Sequence, residues 1–73
     1  MTTQTRTRST ESPVSNVTYD LLQALTSKLE AIEAYETYRQ DAQGDIGQLF
    51  DDLLNEDRRQ AERLLAALRN ELR

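Results

Sequence analysis

From Val17 to the C-terminus, apolar residues return mostly every third or fourth position, with one break around Gln43–Gly44 and another between Leu54 and Ala61. Val17, Leu21, Leu22, Leu25, Leu29, Ile32, Tyr35 and Tyr38 make the first run. Ile46, Leu49, Phe50, Leu53, Leu54, Ala61, Leu64, Leu65, Leu68 and Leu72 make the second. Spacings of three and four match a helix with one apolar face, whereas a strand needs a period of two. The chain is therefore expected to be all-α, with one amphipathic helix over about residues 18–43 and another over about 46–72. The connection is so short that the two must fold back antiparallel.

Local signals mark the expected ends. Thr18 reads as the first N-cap, with Val17 and Leu22 as a hydrophobic staple across it. Gly44 suits the left-handed position that ends a helix. Asp45 reads as the second N-cap, with Gln48 completing a capping box, and Gly47 falls in the first turn. Residues 1–16 are mostly Thr, Ser, Arg and Gln with Pro13, too polar to offset the entropy of ordering. They are expected to form a disordered N-terminal tail, separate from a helical hairpin over 17–73.

Such a hairpin is an incomplete fold. The 73 residues make one domain at most and contain no Cys, so no disulfide holds them and no thiolate binds zinc or an iron–sulfur cluster. A lone core below roughly 70–80 residues is marginal without staples. Each apolar face is also wider than one neighbouring helix can cover. Two hairpins packing into a four-helix bundle meet both difficulties. A homodimer, or a higher even oligomer, is expected. Its core is assigned to Leu22, Leu25, Leu29, Ile32, Tyr35, Phe50, Leu53, Leu64 and Leu68.

Charge follows the same plan. Residues 45–57 carry five acids and no base, and residues 58–73 carry five arginines against Glu62 and Glu71. This order suits the dipole of the second helix. With Glu33, Glu36 and Asp41 it makes the turn end acidic, so an antiparallel dimer would set acidic against basic ends. Arg58, Arg59 and Arg63 are expected to pair with Asp51, Asp52, Glu56 and Glu62 rather than to form a basic patch.

Several function classes are disfavoured. A net charge of −4 argues against nucleic acid as a partner. No apolar run approaches the roughly 20 residues of a membrane span, and the N-terminal residues lack the apolar stretch of a signal peptide. A cytoplasmic protein is expected. With no His there is no imidazole base to activate the Ser and Thr residues, which concentrate in the tail. No glycine-rich phosphate loop is present. No catalytic residue and no cofactor is expected.

Three polar residues sit in or beside the apolar stripes: Lys28 in the first helix, Asp57 and Gln60 in the second. Folding at residues 44–45 brings Lys28 near Asp57, Gln60 and Ala61.

The segments LEAIEAYETYRQDAQGD and LLNEDRRQAERLLAAL resemble the ferritin-like superfamily, and are most similar to its short two-helix members of the encapsulated-ferritin type. The resemblance covers about residues 20–72, and A-I-E-A-Y at 31–35 and A-E-R-L-L at 61–65 carry it. It implies a four-helix site completed on dimerising, in which a Glu and an E-x-x-H motif bind iron. The matching positions here are Lys28, Asp57 and Gln60, and all three depart from the pattern. Protonated Lys does not ligate iron, and Gln replaces imidazole poorly.

The reading expected is a homo-oligomeric ferritin-like bundle without a working di-iron centre, acting as a small non-enzymatic structural or interaction protein. Lys28 and Asp57 would form a buried pair that fixes register, with Gln60 beside them. Lys28 extending along the helix edge into water is the plainer alternative. Retained metal binding through Glu30, Glu33, Glu36, Glu56 and Asp57 would instead give a divergent iron-handling protein. An adaptor holding a partner helix in an exposed groove is a further alternative. Tyr35 and Tyr38 are expected as core or rim aromatics.

Overall fold

The two stripes become two helices in the computed structural model, which describes residues 12–73. Helix α1 spans Asn16–Gln40 and helix α2 spans Gly44–Glu71. They pack against each other as an antiparallel hairpin, and no strand occurs among the described residues. Residues 1–11 of the expected tail lie outside the described residues. Ser12–Val14 are irregular, and α1 has begun by Asn16.

The start of α1 lies earlier than Thr18. Ser15 is the N-cap, in extended backbone at φ −68° and ψ 163°. Its hydroxyl accepts from the Thr18 N–H at 3.0 Å and donates to Thr18 Oγ1 at 3.0 Å. Thr18 is thus the third helical residue, buried with its hydroxyl bonded. Val17 and Leu22 are both exposed and form no staple.

The end of α1 also comes earlier than Gln43. Backbone bonds from Asp41 N–H to Tyr38 O (3.0 Å) and Ala42 N–H to Arg39 O (3.3 Å) tighten the last turn and stop it at Gln40. The Arg39 guanidinium donates to the Ala42 carbonyl at 3.2 Å, tying the connection between the helices back to the end of α1. The chain then reverses through Gly44 at φ +61°. A Cβ there would meet nothing within 4 Å, so only the backbone resists substitution. Gly44→Ala is expected to cost about 1–2 kcal/mol in a urea melt, and Gly44→Asn less, because Asn tolerates the left-handed region.

Helix α2 starts without a side-chain cap. Gln43 holds the N-cap position and makes no capping bond. Asp45 lies inside the first turn, where it still complements the helix dipole. The Gln48 side chain donates forward to Asp52 at 2.9 Å, so no capping box forms. Gly47 is buried at the closing point of the hairpin. A Cβ there would lie 3.2 Å from the Ala42 carbonyl oxygen and 3.3 Å from the Arg39 guanidinium.

Between the helices runs a seam of alternating three- and four-residue steps. On α1 it holds Thr18, Leu21, Leu25, Lys28, Ile32 and Tyr35. On α2 it holds Gly47, Phe50, Leu54, Asp57, Ala61, Leu64 and Leu68. Every one of these is buried or half-buried. Sustained over the helix, this step pattern is that of coiled-coil knobs-into-holes packing. Near the turn Tyr35 and Phe50 fill the seam and the exposed Tyr38 ring packs beside them, with centroids 5.8–6.3 Å apart.

The seam is thin. Among the described residues only Leu54 (8% exposed), Ala61 (7%) and Leu68 (6%) are buried apolar residues, and no side chain among them is completely enclosed. Among the described residues, nine large apolar side chains are instead exposed, among them Val17, Leu22, Leu29, Tyr38, Ile46, Leu49 and Leu65.

Candidate functional site

The centre of the hairpin is where apolar seam gives way to charge. Lys28 stands midway along α1 and Asp57 midway along α2, each in a seam position that the neighbouring steps fill with Leu, Ile or Ala. Their side chains meet: Lys28 Nζ donates to Asp57 Oδ1 at 3.2 Å. The Lys28 side chain is 33% exposed and that of Asp57 16%. The ammonium therefore keeps partial contact with water while the carboxylate sits largely inside. Lys28 does not simply run out to solvent along the helix edge, because its terminal nitrogen is the donor in a contact across the seam.

Gln60 does not join this pair. It is exposed, and it lines a shallow groove with Ala24, Lys28, Arg63, Leu64 and Ala67. The pair is thus seam, and Gln60 is the flank next to it.

The other ion pairs lie on the surface. Arg58 reaches across to Glu36 at 2.9 Å, and Arg39 to Asp51 at 2.8 Å. This corrects the expected pairing of Arg58 with acids on its own helix. The seam places Arg58 at the α1 side of α2, where Glu36 is the acid within reach. Exposed pairs of this kind add about 0.2–1 kcal/mol each.

The expected core residues divide into groups. Leu25, Ile32, Tyr35, Phe50, Leu64 and Leu68 belong to the hairpin's own seam. Leu22 and Leu29 are exposed on one flank of the seam, with Leu65 and Leu72 opposite them on α2. That flank turns charged toward the turn, where Glu36, Asp51 and Arg58 occupy the same rows. Leu53 lies on the other flank. There α1 contributes Val17, Ala24, Ala31 and Tyr38, and α2 contributes Ile46, Leu53, Gln60 and Ala67. Gln60 is the one residue of that row set with neither an apolar nor an aromatic side chain. A sequence reading limited to one apolar stripe per helix does not separate seam from flank. The seven-residue repeat is the signal that does.

Against protein-family models, curated proteins and solved structures, the chain finds no match. A divalent cation needs converging carboxylate or imidazole donors. Among the described residues no group of three or more His, Cys, Asp or Glu side chains converges in that way. At the midpoint a cation would meet the Lys28 ammonium, which already holds Asp57. These residues do not fit a di-iron centre. What the arrangement does supply is a charged contact that is satisfied in one register of α1 on α2, because sliding either helix by a turn sets Lys28 or Asp57 against an apolar partner. No described helix is long and apolar enough to cross a membrane.

Proposed function

We propose that this chain is a small, non-enzymatic structural or interaction protein, one half of a homo-oligomeric four-helix bundle of ferritin-like type that has no functional di-iron centre. The observation that carries the reading is the Lys28–Asp57 pair at the centre of the seam. The resemblance in the A-I-E-A-Y and A-E-R-L-L segments puts metal ligands at Lys28, Asp57 and Gln60, and here an ammonium takes the place of a metal ion. The exposed apolar residues on both flanks support the oligomer, since a hairpin alone leaves them in water. A cytoplasmic location belongs to the same reading.

A metal titration tests the loss of the iron site. Melting temperature is followed while iron(II), under anaerobic conditions, or manganese(II) is added. The expected result is no shift, because a ligand stabilises a protein only through binding to its folded state. A rise of several degrees at micromolar metal would overturn the proposal in favour of an iron-handling protein.

A further inference from the structure

We propose that a second copy covers the flank formed by Val17, Ala24, Ala31 and Tyr38 with Ile46, Leu53, Gln60 and Ala67, and that it lies with its turn at the opposite end, α1 over α1 and α2 over α2. The inference rests on the oligomer proposed above and specifies its face and orientation.

The face follows from comparing the two flanks. The flank in question carries apolar side chains in both of its rows apart from Gln60, with Arg63 at the rim of its groove, and Val17, Tyr38 and Ile46 on it are exposed. The opposite flank is interrupted by Glu36, Asp51 and Arg58, and two of these already form an ion pair across the hairpin. Small side chains at Ala24 and Ala31 let two α1 helices approach closely, toward the lower end of the usual 8–10 Å.

The orientation follows from charge. Residues 29–56, the turn half, carry eight acidic side chains against Arg39, a net charge of −7. The described remainder, residues 12–28 and 57–73, carries six basic and four acidic side chains, a net charge of +2. Stacking the hairpins with their turns together would place the two strongly acidic halves side by side. Opposing the turns sets each acidic half against a basic one. A two-fold axis that does this lies between the stacked hairpins, perpendicular to the helices and parallel to the plane of each hairpin. It superposes α1 on α1 and α2 on α2. Near mid-height Ala24 of one copy then faces Ala31 of the other, since the two stand either side of Lys28, the middle of α1. Two Lys28–Asp57 pairs meet the axis there, neutral in sum, with the Gln60 amides alongside to donate and accept.

The chain has no Cys, so introduced thiols report cleanly. In the double variant Ala24→Cys/Ala31→Cys the thiols lie two turns apart on one helix and cannot bond within a chain. Mild oxidation is expected to convert most of the protein to covalent dimer. Leu22→Cys/Leu29→Cys is the probe on the opposite flank and is expected to stay monomeric, its thiols free, on a non-reducing denaturing gel. Circular dichroism confirms that each variant folds. The unmodified chain supplies a second readout by sedimentation. The dimer dissociation constant is expected to rise several-fold between about 0.05 and 0.5 M NaCl, as screening removes the attraction between unlike ends. A dimer that cross-links through Leu22→Cys/Leu29→Cys instead, or through neither pair, overturns the face or the orientation. Salt that tightens the dimer, or leaves it unchanged, overturns the opposed turns. A chain that sediments as a monomer overturns the oligomer itself, a different outcome from either.

Discussion

Leu54→Ala is expected to destabilise the protein by about 2–5 kcal/mol, the usual cost of emptying a buried leucine site. Leu54 lies in the middle of the α2 seam and is one of three buried apolar residues among those described. A seam this thin has few neighbours able to move inward and fill the space. A domain of this size has a total stability near the lower end of about 5–15 kcal/mol, so the loss consumes much of it. In a urea melt followed by circular dichroism, the midpoint should fall sharply, and cooperative folding should be marginal at ambient temperature. Leu49→Ala gives the contrast. Leu49 is exposed and outside the seam, so its truncation should change the melt little. If both substitutions cost the same, the seam described here is not the principal core.

Removing one member of the central pair should have the second large effect. Lys28→Met leaves the Asp57 carboxylate, only 16% exposed, without its partner at 3.2 Å. A buried polar group that loses its only partner costs about 1–3 kcal/mol, and more when charged. The double variant Lys28→Met/Asp57→Leu makes the seam wholly apolar at that level. Its stability should recover to within about 1 kcal/mol of the parent or exceed it, because well-packed apolar residues often replace an ion pair without loss. What the double variant should lose is uniqueness. With no charged contact to satisfy, α1 and α2 can pack in neighbouring registers, and its amide spectrum should show more than one set of resonances. If Lys28→Met melts as the parent does and stays uniquely folded, the pair has no role in register.

Much of this architecture was legible in the sequence, and the physical reason is periodicity. Three- and four-residue spacing over some 25 residues identifies a helix with little competition, and Gly44 in a polar gap identifies the reversal. The left-handed backbone at Gly44 is the expected one, but it opens α2 rather than ending α1, which stops at Gln40 with Asp41 as its C-cap. The helix ends were less legible. Ser15, Asn16 and Thr18 are all competent N-caps within one turn, and apolar spacing cannot choose among them. Ser15 is the cap because its hydroxyl serves both the backbone and the side chain of Thr18. Asp45 and Gln48 matched a capping box in pattern, but helix α2 begins at Gly44 and Gln48 bonds Asp52 instead.

The candidate site was legible in part. A simple fold-back count places Lys28 close to Asp57, and their contact follows from both lying on the inner face at mid-height. The same count also placed Gln60 in the cluster. It did not resolve that Gln60 stands one row outside the seam, which sets it in the neighbouring groove. Reading each helix as a single stripe likewise merged seam and flank, so Leu22 and Leu29 were grouped with Leu68 although one set is exposed and the other buried.

In the proposed dimer, the hairpin is half of a fold. Thermal melts across a hundredfold range of protomer concentration test it most directly. For a dimer that unfolds to separate chains, folding is coupled to association, and the melting temperature must rise with concentration. A steady rise, with sedimentation at twice the protomer mass, is the predicted result. A melting temperature independent of concentration, with sedimentation as a single chain, would contradict it.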